Sequence, residues 1–246
     1  KDSLTTLDSL KRLGYQVTGL FVNEGIGTYR DESREDLVAY CSANDIEFKE
    51  ISFEEEFGFT LDEAVATKAY HPCTICGTLR RYLLNKHAKG YDVIATGHNL
   101  DDESQTIMMN LLRANINMFS RTAPKTTSSP WFVQKIKPLY LLTEKQILTY
   151  TRIRGIQARP SRCPYSSISY RASLRNELDR FETNHGGSKQ NIIESYTSLV
   201  ESLKSPIKNV EDEGITACES CGGASNEKIC KTCNICKDIK AKLNRP

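Results

Sequence analysis

What most limits how this chain folds is the alternation of short apolar segments with helical patterns over its first 113 residues. After "KDS" at residues 1–3, Leu4, Leu7, Leu10 and Leu13 recur at helical spacing, with Asp2 or Ser3 as the expected cap and Gly14 as the stop. "YQVTGLFVN" (15–23), rich in β-branched and aromatic residues, reads as a buried strand. "DESREDLVAYCSAND" then reads as a helix, "IEFKEIS" as a strand, Pro72 to Lys89 as a helix, and "YDVIAT" (91–96) as a short strand. "GHNLDDESQT" follows, and a helix runs on to about Arg113. Strands separated by helices cannot pair as tight hairpins. They line up in parallel with helical crossovers, which predicts an α/β fold built on a parallel sheet.

The remainder is organised differently. Residues 114–137, with Pro124, Pro130 and Trp131, read as loop and turn. Thr143 and Gln146 form a capping-box start for a helix reaching Gly155, and two more helices are expected near 169–183 and 188–204. Pro206 to Gly214 reads as a linker, and the last thirty residues as a cysteine-rich module. The expected domains are therefore 1–142, a helical extension over 143–205, and a linker with its module over 206–246.

A formal net charge of +2 says little, but its distribution says more. From Ser104 to Thr143 there is no acid, while Arg113, Arg121, Lys125, Lys135 and Lys137 lie inside. From Thr151 to Arg180 there are seven arginines against two acids, Glu177 and Asp179. Such blocks are either solvated faces or the footprint of a phosphate-backbone binder. No apolar run approaches the roughly 20 residues of a membrane span, and no secretory signal pattern opens the chain.

Nine cysteines, odd in number and spaced as CxxC, favour metal or redox chemistry in a reducing compartment over a disulfide framework. In the tail, Cys218 and Cys221 are separated by eight residues from Cys230 and Cys233. Two such knuckles supply the tetrahedral sulfur ligands of a structural Zn²⁺, and Gly222 and Gly223 suit the tight turn. Cys236 offers a second register. Cys41 lies on a helical pattern beside Leu37 and Val38 and reads as a buried, inert thiol. Cys73 and Cys76 in "HPCTICGTLRR" and Cys163 in "SRCPYS" are one short of a closed zinc site. Three thiolates hold a 4Fe–4S cluster with one iron left open, or stay ionised beside Arg80 and Arg81 and carry a persulfide. The alternative is a structural CxxC and an unrelated Cys163.

"KDS" opening a helix and "ATGHNLDDESQT" following a strand resemble the PP-loop ATPases, adenine nucleotide α-hydrolases whose full fingerprint is SGGKDS. With "PCTICG" and "CPYS", the likeness narrows to the tRNA 2-thiouridine synthetases, the branch of wobble-uridine and ribothymidine thiolases. It covers nearly the whole chain, from Lys1 through a C-terminal zinc ribbon. The SGG half of the loop, its strand and a further zinc motif are expected upstream of Lys1, on a longer protein.

The resemblance implies ATP on the helix that starts at Lys1, Asp2 and Ser3, with the strand end at Asn23 lining the adenine pocket. It implies that Gly97 lets the backbone approach the nucleotide and that Arg80 lies near the phosphates. Asp101 or Asp102, the latter matching the family's essential Asp, would hold Mg²⁺; the alternative for the pair is a turn and helix cap. His98 reads equally as packing or chemistry. The implied reaction adenylates the C2 oxygen of a tRNA uridine, and a sulfur nucleophile then displaces AMP. Cys73, Cys76 and Cys163 would carry the 4Fe–4S cluster whose open iron holds that sulfur. The sulfur donor would be inorganic sulfide or a ubiquitin-like sulfur carrier, the location cytoplasmic and the assembly a homodimer.

Residues 152–180 and the acid-free loop with Trp131 are the expected tRNA surface, Trp131 stacking a base or simply packing. "CGTLRR" resembles the uridine-34 branch more than the ribothymidine-54 branch. Persulfide transfer without a cluster is the alternative chemistry. Amine ligation, which other PP-loop relatives perform, has no use for three thiolates. A non-enzymatic zinc-module RNA-binding protein is the alternative of another class, and leaves "KDS" and "GHNLDD" unexplained.

Overall fold

A computed structural model describes residues 1–119, 122–126, 129–160, 162–203 and 214–245, with backbone alone at 117, 202 and 203. Helix α1 (Asp2–Arg12), strand β1 (Thr18–Asn23), helix α2 (Tyr29–Ala43) and strand β2 (Glu47–Ser52) come first. β1 and β2 pair in parallel, Thr18 opposite Glu47 through Asn23 opposite Ser52. Short helices α3 (Phe53–Phe57) and α4 (Leu61–Ala66) lead to α5 (Pro72–His87). Strand β3 (Ile94–Ala95), helices α6 (Leu100–Leu112) and α7 (Ile116–Phe119), and strand β4 (Lys135–Ile136) follow, β3 and β4 again parallel. Then come α8 (Glu144–Ile153), a 3-10 turn (Pro164–Ile168), α9 (Tyr170–Asn184) and α10 (Ser188–Leu203). The tail is an antiparallel pair, β5 (Thr216–Ala217) and β6 (Ala224–Ser225), and helix α11 (Lys231–Leu243).

Three apolar clusters hold these elements. In the first, Ile75, Leu79 and Leu83 recur every four residues along α5, and this buried stripe meets Val22, Ile51, Phe53, Phe57, Phe59 and Leu61. The second joins Leu100 and Ile107 of α6 to Phe119, Tyr140, Ile193 and Tyr196. The third packs α1 and α2 on β1 through Leu4, Phe21, Leu37 and Cys41. Cys41 is 1% exposed, and burial pushes its thiol pKa up, as an inert core cysteine requires. A Cβ on Gly19 would come within 3.0 Å of its sulfur.

The structure departs from the sequence expectations at identifiable places. Neither Asp2 nor Ser3 caps α1; both lie inside its first turn, and Lys1 holds the cap position without a side-chain hydrogen bond. The first strand starts at Thr18, leaving Tyr15 63% exposed. The stretch read as loop contains α7 and β4, and β4 supplies the parallel partner of β3. Thr143 does cap α8 in a capping box with Gln146. The cysteine-rich tail is not free-standing: Ile235 and Ile239 of α11 are buried in the α5 cluster. Two such side chains contribute about 2 kcal/mol each, so the tail shares a core too large for it to build alone. The linker expected over 206–214 lies outside the described residues except for Gly214, as does Arg121.

Candidate functional site

The two nucleotide-type motifs meet through backbone. β3 runs out into Thr96, Gly97, His98 and Asn99, and Asn99 caps α6. Its Oδ1 accepts from the Asp102 N–H at 3.0 Å, while Asp102 Oδ2 accepts from the Asn99 N–H at 3.4 Å. Gly97 lies flat on the first turn of α1: a Cβ there would stand 2.7 Å from the Asp2 carbonyl carbon and 2.8 Å from the Ser3 nitrogen. The close approach that demands glycine in this structure is to the backbone of the first turn of α1. Asn99 Nδ2 completes the junction by donating to Asp2 Oδ1 at 3.2 Å.

Lys1 Nζ lies 2.9 Å from the Asp2 carboxylate and 3.2 Å from Glu144. Burial works against its charge, but these carboxylates more than offset burial and its pKa is raised. The first N–H groups of α1 have no partner within the helix, so this end combines helix-dipole donors with a firmly protonated cation. Ser3 is exposed there. Asn23 at the end of β1 uses its Oδ1 to accept the Gly25 N–H at 3.0 Å, so it shapes its own turn.

The acidic pair divides. Asp101 gives Oδ1 to Lys189 Nζ at 2.5 Å and Oδ2 to the Glu144 N–H at 2.7 Å. Both oxygens are engaged in fastening α8 and α10 to α6, so in this structure Asp101 acts as a clasp between helices. Lys189 also pairs with Asp179 of α9. Asp102 keeps more freedom: Oδ1 lies 3.8 Å from Arg171 Nη1, beyond hydrogen-bond range. His98, exposed, has Nδ1 2.9 Å from Thr96 Oγ1.

Cys73, Cys76 and Cys163 come from two elements. α5 opens with Pro72 at its first position, and His71 Nδ1 accepts from the Cys73 N–H at 3.2 Å. Spacings of three and four put Cys73, Cys76 and Arg80 on one helical face. Cys163 heads the 3-10 turn, which Tyr165 anchors by donating to Asp62 Oδ1 at 2.6 Å. Cys76 and Cys163 pack against the α5 cluster, and Cys73 is exposed. Burial pushes the Cys76 thiol up to about 11, opposed by Arg80 and reinforced by Glu24, Cys163 and Cys73. Burial, then the charge of Cys163, likewise raises Cys73. The three sulfurs thus bear on one another around one guanidinium. They do not converge as ligands of a single ion do. A cubane, taking one thiolate per iron, keeps its ligands apart, so this donor set fits a 4Fe–4S cluster.

The tail holds the site suited to a single ion. The sulfurs of Cys218, Cys221, Cys230 and Cys233 lie within 4.8 Å of one another, the only such group among the described residues. Cys218 and Cys233 are 3.9 Å apart, Cys221 and Cys230 3.7 Å. The Cys230 N–H, donating to Cys218 Sγ at 3.2 Å, helps bring that thiol down to about 6. Four sulfurs so gathered fit tetrahedral Zn²⁺. Cys236 stands outside the set, packed on the α5 cluster. Tyr82 of α5 feels the charge of Cys221, so this site stands beside the helix that carries Cys73 and Cys76.

The arginine-rich stretch is largely paired with neighbouring groups, although most of its arginines are exposed. Arg154 pairs with Asp8 at 3.1 Å, and Arg159 with Asp36 at 2.8 Å and Glu35 at 2.9 Å. Arg171 donates to the Asp102 carbonyl at 3.0 Å and Thr106 Oγ1 at 2.8 Å. Arg180 pairs with Glu177 at 2.6 Å. Four of the seven arginines expected on a tRNA surface thus serve internal or local contacts; Arg152 and Arg162 are exposed. Lys137 is likewise paired, with Glu103 at 2.7 Å. Trp131 is half-buried, its carbonyl accepting from Asn85 Nδ2 at 3.1 Å. Sequence reasoning missed Glu24. It directly follows the strand end at Asn23, yet nothing in the spacing announces that it is buried between Arg30 and Arg80.

No family model matches the chain. It is 38% identical to a protein of Methanocaldococcus jannaschii named "Probable sulfurtransferase", over 95% of this chain and 70% of that one. It is 31% identical to the tRNA-5-methyluridine(54) 2-sulfurtransferase of Thermus thermophilus, over 96% and 73%. Among solved structures it matches the U34-tRNA thiolase NcsA of Methanococcus maripaludis with its [4Fe-4S] cluster, at a TM-score of 0.80 and 33% identity, over 96% of this chain and 77% of that one. With identity at this level across nearly its whole length, and with the junction of "KDS" and "GHNLDD" and the three-sulfur face in place, the chain belongs to the tRNA 2-thiolation sulfurtransferases of the PP-loop ATPase superfamily.

Proposed function

We propose that the chain is an ATP-dependent tRNA-uridine 2-sulfurtransferase acting on wobble uridine 34. The observation that carries this reading is the accounting of the nine cysteines. Four gather in the tail, Cys41 is sealed in the α1–α2 core, Cys236 packs on α5, and three remain together beside Arg80. Three thiolates and no fourth are what an iron available for sulfur requires.

The chemistry follows from what the residues hold. The uridine C2 oxygen attacks the α-phosphorus of ATP and pyrophosphate departs, turning a poor leaving group into a good one. The α1 N-terminus with Lys1 and Ser3, and Arg80, stabilise charge on the phosphates. Asp102, whose Oδ1 lies beyond hydrogen-bond range of Arg171, would hold Mg²⁺, which would neutralise the same charge. Sulfur then adds to C2, and AMP leaves with the oxygen. A 4Fe–4S cluster on Cys73, Cys76 and Cys163 would supply the iron that holds the sulfur. The uridine must leave its stack to reach these groups, at a cost of a few kcal/mol. The donor is inorganic sulfide or a ubiquitin-like carrier, and the working assembly a homodimer in the cytoplasm. Nine thiols without a disulfide suit that compartment, and no helix among the described residues is long and apolar enough to cross a membrane.

The test is to purify the full chain without oxygen and count iron, acid-labile sulfide and zinc, then repeat with Cys73, Cys76 and Cys163 each changed to Ser. About four irons per chain, lost in each variant while zinc stays, is the expected result. Thiolation of tRNA with ATP and sulfide, mapped by mass spectrometry, should then fall on uridine 34. No iron with zinc intact would move the chemistry to persulfide transfer, and thiolation at position 54 would move the substrate to the other branch.

A further inference from the structure

Glu24 is 1% exposed, and a carboxylate buried so deeply must be paired. Arg30 Nε lies 2.7 Å from its Oε2. Arg30 is itself immobilised, donating to the Val22 carbonyl at 2.9 Å and standing 4.5 Å over the Phe21 ring. Arg80 Nη1 lies 3.5 Å from the other oxygen, Oε1.

The backbone around Glu24 is rigid. Its carbonyl accepts from the Leu61 N–H at 2.7 Å, and the following Gly25 adopts φ +67, where a Cβ would stand 2.7 Å from Thr60 Cβ. One oxygen thus lies 2.7 Å from a fixed cation as a charge contact in which neither atom makes a hydrogen bond, and the other lies 3.5 Å from a side chain that is 48% exposed. Arg80 stands one turn of α5 beyond Cys76, so the pair lies beside the sulfur face. With two guanidiniums to one carboxylate, the site keeps a net positive charge while Arg80 loses its freedom to swing into solvent.

We infer that Glu24 is a positioning residue for Arg80: it holds the guanidinium at the junction of the nucleotide site and the three cysteines. The inference rests on the proposed function for its consequence, though not for its geometry. Without Glu24, the exposed Arg80 side chain loses this anchor, and each ATP must order it anew, which raises KM for ATP.

The test compares the full-length wild type with Glu24→Gln, Arg80→Gln and the double variant, with zinc content as the control for folding. Phenylglyoxal labelling, mapped by mass spectrometry, reads Arg80 directly and needs neither ATP nor iron. Arg80 should label about fivefold faster in E24Q, the factor expected for one lost ion pair, while Arg30 stays protected. KM for ATP in tRNA-dependent AMP release should rise by up to about fivefold in E24Q, and the double variant should match R80Q. Glu24→Asp keeps the charge but is too short to span both guanidiniums. It should behave as E24Q, and it decides the matter if E24Q does not fold. Equal labelling of Arg80, an unchanged KM, or E24Q and R80Q effects that multiply would each overturn the inference. If the wild type releases no AMP with tRNA present, the functional reading fails, and the labelling alone still decides what Glu24 does.

Discussion

Replacing Asp8 by Asn should remove a pH-dependent clasp between three helices. Asp8 on α1 is 4% exposed and accepts from Tyr40 of α2 at 2.8 Å, from Tyr150 of α8 at 2.5 Å and from Arg154 at 3.1 Å. Burial alone would raise its pKa, but Arg154, Tyr150 and Tyr40 outweigh burial and take it from 3.8 to about 2. A shift of nearly two units at about 1.4 kcal/mol per unit makes the ionised form worth roughly 2 kcal/mol to the fold. The folded pKa is depressed, so this stability is present above pH 3.8 and is lost as pH falls through about 2. Urea unfolding of wild type and Asp8→Asn should therefore differ by roughly 2 kcal/mol at pH 7 and pH 5, and converge near pH 2, where protonated Asp resembles Asn. A difference that stays constant from pH 7 to pH 2 would refute the ionic account.

Two further perturbations test other joints. Chelating the zinc proposed for the four-cysteine tail site should release α11 from the α5 cluster; losing Ile235 and Ile239 at about 2 kcal/mol each lowers Tm by roughly 10 °C, and a melting curve indifferent to the chelator would break the proposed link. Gly97→Ala should force the loop off the first turn of α1, costing about 1–3 kcal/mol and raising KM for ATP. Unchanged melting and nucleotide kinetics in that variant would mean the junction is looser than its 2.7 Å approach indicates.

Much of the molecule was legible because some physics is local. The parallel β1–β2 pair follows from the strand–helix alternation, and the Thr143 cap from a four-residue signal. The zinc-type site follows from two CxxC knuckles, since a ligand spacing survives whatever surrounds it. Strands of two residues, such as β3 and β4, carry no period of their own, which is why β4 read as loop.

The sequence by itself determined the fold class and the chemistry on offer: which thiols, which acids, which helix start. Only the tertiary structure decided their assignments. Asp101 and Asp102 are adjacent and alike, yet Lys189, 88 residues away, takes one and leaves the other. Arg154 and Arg159 read as a surface for phosphate until Asp8 and Asp36, distant in the chain, claim them. Glu24 gains its role solely from Arg30 and Arg80 converging on it. The reason is common to all three. A charge acts through what lies within a few ångströms, and in a folded chain those neighbours are set by packing, which no spacing along the sequence encodes.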